Sequence, residues 1–245
     1  MMNEDTQQDQ IILTLLRDTA SLSTIEAVIQ VMQRLDATLL PSDGVKWFNL
    51  LYLRVTQAVY EKPPATWADA RWFDLLDVTF AQLYFDALAH WYTNPTTVPR
   101  AWVALFESRY KPYIERVQFA LAGMNAHINH DLPLALVQTC QDLQIIPDRS
   151  SPEYRDFEAV GSILDAVEPE ILYNLATGII GEVAQDLGTL GRLLTIWSVQ
   201  TARDTAWTNA ELLWQVQDLP KVRDDLLLVL DRMTGLASRG LLAAV

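Results

Sequence analysis

The chain has 245 residues, with 31 acidic and 18 basic side chains and a formal net charge of −13, a balance that argues against nucleic acid or an anionic membrane as partner. Eight Trp, eight Tyr and seven Phe supply enough aromatic surface for a large core without disulfides or a structural metal. Cys140 is the only cysteine, which excludes an internal disulfide and a thiolate zinc knuckle and fits a reducing compartment.

Residues 1–20 read as a polar N-terminal segment with scope for flexibility, lacking the basic and apolar regions of a secretory leader. Residues 21–245 read as a single domain. Ser23-Thr24-Ile25-Glu26 reads as a capping box opening a helix that Pro41 closes. Ser42-Asp43 caps a helix over about Val45 to Tyr60, stopped by Pro63-Pro64; Thr66 and Asp69 open another over about Trp67 to Tyr92, ended by Asn94-Pro95. Pro112 starts one that reaches about His130, with Cys140 in the apolar run after it reading as core, and Pro152 and Pro169 sit at first-turn positions. The last long helices run from about Leu190 to Gln217 and from Lys221 to Arg239, separated by Pro220. No segment alternates polarity as a strand would, and no uncharged apolar run approaches the roughly 18 residues of a membrane span. The reading is all-α: one bundle-like domain, expected in the cytoplasm.

An amphipathic helix keeps apolar side chains on one stripe at spacings of three and four. Three stripes are interrupted by a charge. Phe73, Asp77, Phe80, Tyr84, Ala87, Trp91 contains Asp77; Tyr113, Val117, Ala120, Met124, His127, Asp131, Leu134 contains His127 and Asp131. Ile196, Val199, Arg203, Trp207, Ala210, Trp214 contains Arg203, and Glu182 lies at four-residue steps between Gly178 and Asp186. An isolated buried charge is costly or neutralises, so these groups are expected to satisfy one another in one internal cluster, with Arg203 pairing to Asp77 or Asp131. His127 and Asp131 leave the same helix face, a spacing that suits one divalent metal (zinc, iron or manganese) or an imidazole base oriented by a carboxylate. Asp86 and His90 repeat the spacing in reverse but off the apolar stripe, as a surface pair would. Three His in all (His90, His127, His130) exclude a His-rich multi-metal centre.

Glu-x-x-His, HExxH, P-loop, GxGxxG and GxSxG signatures are absent. Asp74 and Asp77, with Asn174, Gly178 and Glu182, imitate the acidic and Asn-rich motifs of helical terpene cyclases only loosely. The block Ala122-Gly123-Met124-Asn125-Ala126-His127-Ile128-Asn129-His130-Asp131-Leu132-Pro133-Leu134-Ala135 is more specific. Together with Asp43-Gly44-Val45, Phe48-Asn49-Leu50-Leu51-Tyr52-Leu53, Val55-Thr56, and Leu76-Asp77-Val78 followed by Tyr84, it resembles the DUF5995 family over about Thr24 to Trp214. That family consists of helical proteins without an assigned activity; the resemblance implies that Asn125, His127 and Asp131 belong to its signature block. His127, Asp131 and Pro133-Leu134 are also similar to the His-x-x-x-Asp zinc pair of the S1/P1 nuclease and zinc phospholipase C superfamily. The additional His and the amino-terminal Trp of those enzymes are lacking, so that resemblance implies one metal at most.

Two functions are expected from different classes. The first is an enzyme using acid–base or single-metal-assisted, hydrolase-like chemistry on a small, partly apolar molecule. In it His127 is base or metal ligand, Asp131 its orienter or co-ligand, Asn125 a hydrogen-bond donor, Asp77 a second carboxylate and Arg203 an anion clamp. Tyr84, Trp207, Met124 and Glu182 would contact the substrate. The second is a non-catalytic helical binding or interaction protein whose buried polar network fixes its packing. Neither sets an oligomeric state.

Overall fold

A computed structural model describes residues 4–17, 19–177, 191 and 197–243. The described helices are α1 (Glu4–Leu16), α2 (Ile25–Thr38), α3 (Gly44–Tyr60), α4 (Ala70–Thr93), α5 (Arg100–Ser108) and α6 (Arg116–Ala126), then a π-helical segment (His127–Asp131). They continue with α7 (Leu132–Leu143), α8 (Pro152–Thr177), α9 (Val199–Gln215) and α10 (Pro220–Leu242). Among the described residues there is no strand, and the helices pack into one bundle.

Local chemistry sets several boundaries. Thr24 Oγ1 accepts from Ala27 N at 3.2 Å, Asp43 Oδ1 from Val45 N at 3.0 Å and Asp69 Oδ1 from Trp72 N at 3.0 Å, each satisfying a donor that a helix start leaves free. Because Asp69 is the cap, α4 begins at Ala70 rather than near Trp67. Pro112 lies in the turn before α6, whose start is set at Arg116 by Gln118 Oε1 accepting from Glu115 N at 3.0 Å. Pro169 does not start a helix: α8 runs through it, with Pro169 on its exposed side, where the carbonyl freed by its missing N–H is open to solvent rather than sealed in the core. Glu4–Leu16, part of the polar N-terminal segment, is a helix that buries Ile12 and Leu16 in the core.

The middle of the bundle is α6, whose residues from Val117 to Ala126 are all buried. It is covered on every side, with α3, α5, α8 and α10 all packed on it; most of its side chains are accordingly apolar, and its two buried amides, Gln118 and Asn125, donate to α10 or the residues just after it. Two glycines bring α3 and α6 together. A Cβ on Gly44 would lie 2.3 Å from Phe119 Cδ1, and one on Gly123 2.3 Å from Phe48 Cγ, so each helix offers a glycine to an aromatic ring of the other. The start of α3 is held further by a buried ion pair in which Arg109 Nε and Nη2 donate to Asp43, Arg109 Nη1 donates to Tyr92 Oη at 2.6 Å, and Gln8 Nε2 donates to Asp43 Oδ2 at 2.9 Å.

The π segment has a local cause. Pro133 has no N–H to return to the carbonyl one turn back, and the helix widens just before it, with Leu132 N–H reaching back to His127 O. π-helical bulges of this kind are frequent at functional sites. Here the bulge carries His127 and Asp131.

Candidate functional site

Asp131 is the centre of a buried polar cluster. Its Oδ2 accepts from Trp102 Nε1 at 3.0 Å and lies 3.0 Å from His127 Nδ1, while its Oδ1 lies 2.7 Å from His130 Nδ1. His130 Nε2 then approaches Asp231 Oδ1 at 3.7 Å, and Asp231 Oδ1 caps α5 by accepting from Ala101 N at 3.0 Å. Burial alone raises the pKa of Asp131, but the hydrogen bonds from His127 and His130 outweigh it and hold the carboxyl below its ordinary value. In His127 burial wins over Asp131, and the imidazole is pushed below its ordinary value; in His130 the hydrogen bond and charge of Asp131, with Asp231 behind, outweigh burial and raise it. His127 is therefore the neutral member. Facing an ionised acceptor, its Nδ1 carries the proton and Nε2 is left with a lone pair.

That lone pair borders a cavity of about 70 Å³ between α3, α4, the π segment, α8 and α9. Its walls are mostly apolar, with Phe73, Phe80, Met124 and Phe157 among them. Two buried polar atoms of its lining residues lack a hydrogen-bond partner among the described residues, Asp77 Oδ2 and His127 Nε2, and the hydroxyls of Tyr52 and Thr56 have only each other. Phe80 stacks on the His127 ring at 3.5 Å and 4°, and Tyr52 meets it edge-on at 4.6 Å. Burial, with the nearby Asp74 carboxylate adding to it, lifts Asp77 to about 7. Burial and then Asp77 raise the Tyr52 hydroxyl far above the usual range, so it remains a donor.

The residues singled out by the stripes divide accordingly. His127 and Asp131 meet as expected, and Asp77, Met124 and Arg203 border the cavity with His127. Arg203 does not pair with Asp77 or Asp131. Its Nη2 donates to Phe157 O, its guanidinium lies 4.0 Å from the centre of the Phe157 ring, and it forms no ion pair among the described residues. Burial lowers it to about 10, still well above neutral pH. Asn125 is engaged elsewhere, donating to Thr234 O at 3.0 Å and Ser238 Oγ at 2.9 Å on α10. Tyr84 and Trp207 are fully buried behind the cavity rather than on its lining. Asp86 and His90 are exposed, a surface pair. Glu182, with Gly178 and Asp186, lies outside the described residues.

Sequence reasoning gave no site role to Tyr52, Thr56, Trp102 and His130. Tyr52 and Thr56 stand one turn apart on α3, and a Tyr or Thr on a helix face reads as ordinary core. Trp102 belongs to α5, a nine-residue helix that no side-chain cap announces. Among the described residues no group of three or more His, Cys, Asp or Glu side chains is placed to hold a metal ion. No described helix is long and apolar enough to cross a membrane.

A family model described as a family of unknown function (DUF5995) matches residues 25–244, and the chain belongs to that family. No curated protein and no solved structure matches the chain, and nothing connects it with the S1/P1 nuclease and zinc phospholipase C superfamily.

Proposed function

We propose that this member of a family of unknown function is a non-catalytic binding protein, whose cavity beside His127 takes a compact, partly apolar molecule and whose Asp131-centred network holds the walls in register. The observation carrying this reading is that one apolar space is lined by two residues with a buried, unpartnered polar atom among the described residues, His127 Nε2 and Asp77 Oδ2, and by two hydroxyls, Tyr52 and Thr56, that have only each other. An unsatisfied buried polar group costs about 1–3 kcal/mol, so the His127 and Asp77 atoms favour an occupant that hydrogen-bonds, and the two hydroxyls have capacity left to join it. An apolar cavity of about 150 Å³ accepts benzene, so about 70 Å³ matches a molecule of a few heavy atoms. His127 Nε2 accepts, Tyr52 Oη donates and Thr56 Oγ1 does either. A head group with both a donor and an acceptor, as in a short carboxylic acid or amide, complements them.

The surroundings of His127 support binding over turnover. One ring face is covered by Phe80, its Nδ1 edge is closed by Asp131, and no hydroxyl is hydrogen-bonded to Nε2 among the described residues. The catalytic reading draws on one specific observation: Asp77, held near pH 7, shares the cavity with the His127 lone pair, as an acid–base pair requires. A single metal in that reading would rest on His127 Nε2 and Asp77, because three donors already occupy the Asp131 oxygens.

The test is calorimetric titration of the native protein and of Thr56→Val and His127→Phe variants with short-chain carboxylic acids and amides as probes. Saturable binding to the native protein, weakened about tenfold by loss of one hydrogen bond and abolished by the larger change, is expected. Absence of binding across the panel, or equal binding to all three proteins, overturns the reading. Consumption of a probe on incubation, or a stoichiometric metal lost in His127→Phe, transfers the site to the catalytic reading.

A further inference from the structure

The cavity beside His127 also carries a charge without a counter-charge. Arg203 lines it together with Asp77 and His127 and is only 6% exposed. Its Nη2 donates to Phe157 O, and its guanidinium rests on the Phe157 ring. These contacts hold the group in place without neutralising it, and Nε and Nη1 make no hydrogen bond among the described residues. Glu158, Asp165 and Asp204 act on it electrostatically, but all three are exposed and none forms an ion pair with it. A buried charge left single costs several kcal/mol, more than an unmade hydrogen bond between neutral groups. The guanidinium therefore makes the strongest demand on an occupant. A carboxylate meets its planar fork with parallel charge-assisted hydrogen bonds, whereas a neutral amide offers one oxygen and no charge.

His127 makes a second demand of the opposite sense. Its Nε2 is buried, bears a lone pair and calls for a donor. An ionised carboxylate has none, so a plain acid would leave Nε2 bare, and a hydroxyl on the same molecule supplies the missing hydrogen. The two demands come from adjoining walls, because α9, which carries Arg203, packs directly on the π segment that carries His127. We propose that the occupant is a short hydroxycarboxylate, its carboxylate paired with Arg203 and its hydroxyl donating to His127 Nε2, which presupposes the binding role of this cavity. The volume of about 70 Å³ restricts the choice to the smallest members of that class, such as glycolate. Asp77 in its protonated form faces such an anion as a donor rather than as a like charge.

Calorimetric titration with glycolate, acetate and glycolamide tests this, at a pH below 7, where Asp77, raised to about 7, carries its proton. Glycolate should bind about tenfold more tightly than acetate, which lacks the hydroxyl, and about thirtyfold more tightly than glycolamide, which lacks the charge. Arg203→Gln keeps a donor for Phe157 O and removes the charge, so it should bind glycolate and glycolamide alike. Native protein that holds glycolamide as tightly as glycolate overturns the pairing with Arg203, whether or not the variant folds, and leaves the binding role of the cavity standing. A variant with native circular dichroism that still prefers glycolate overturns the pairing as well. Glycolate held no better than acetate overturns the placing of the hydroxyl on His127. Failure of all three probes to bind overturns the binding role itself, and the hydroxycarboxylate with it.

Discussion

Replacing Asp77 by Asn probes whether the cavity leaves its carboxylate short of partners. Burial, with Asp74 adding to it, lifts Asp77 from 3.8 to about 7, so between those values the folded protein holds a proton that the unfolded chain has released. Its contribution to stability is therefore complete at low pH, falls as pH rises across the window, and is level above it. At about 1.36 kcal/mol per unit, a gap of roughly three units sets a ceiling of about 4 kcal/mol. Asp77 keeps partial exposure, which screens the penalty, and about 1–3 kcal/mol is the working figure. The Asp77→Asn variant has the same shape and no charge, so its stability relative to the native protein should grow from about pH 4 to about pH 7 and then stay constant. For a chain of this length each kcal/mol moves the melting temperature by about 2–4 °C. Thermal melts followed by circular dichroism should therefore show the variant gaining about 2–12 °C on the native protein between the two ends of that range. A difference that does not change with pH, or one that turns against the variant as pH rises, refutes the reasoning, because the ionised carboxylate would then have a partner.

Asp131→Ala leaves the N–H groups of Trp102, His127 and His130 facing one another without an acceptor; a loss of about 3–5 kcal/mol is expected, read as a lower denaturant midpoint. Gly123→Ala drives a methyl group to 2.3 Å from Phe48 Cγ and should cost about 1–3 kcal/mol as α3 and α6 separate, whereas Gly240→Ala, with nothing within 4 Å, should not destabilise the fold. Cys140 is buried and its thiol is pushed up to about 11 by burial, so a disulfide reagent at neutral pH should label it only after denaturation; labelling of the native protein at the rate of a free thiol would contradict the packing.

What the sequence revealed was what is local. Thr24 and Asp43 cap their helices because a cap is decided by a side chain and a backbone N–H two or three residues on; Asp69, expected three residues into a helix opened by Thr66, is itself the cap. His127 and Asp131 were legible because four residues is one helical turn and both interrupt an apolar stripe. The partners of those groups were not legible. Trp102, which completes the Asp131 environment, arrives from a separate helix, and Asn125 turns out to fasten α10 rather than face the cavity. Arg203 was expected to need an acid, yet a backbone carbonyl and the Phe157 ring accommodate it. Tyr52 and Thr56 entered only through the family resemblance, since nothing in their spacing marks them as cavity residues and only the three-dimensional arrangement places them beside His127. Pro169 misled for the opposite reason: a strong local breaker was overridden by the exposed side of a long helix on which it sits.

The binding account stands on the protonation of one ring. Nitrogen-15 correlation spectra of the His127 imidazole across a pH titration observe it directly. The account predicts a neutral ring protonated at Nδ1, with a bare Nε2, persisting below the pH at which an ordinary imidazole takes up its second proton. A proton on Nε2 at neutral pH, or titration at or above the ordinary value, would show that the cavity is not faced by a lone pair and would contradict the account.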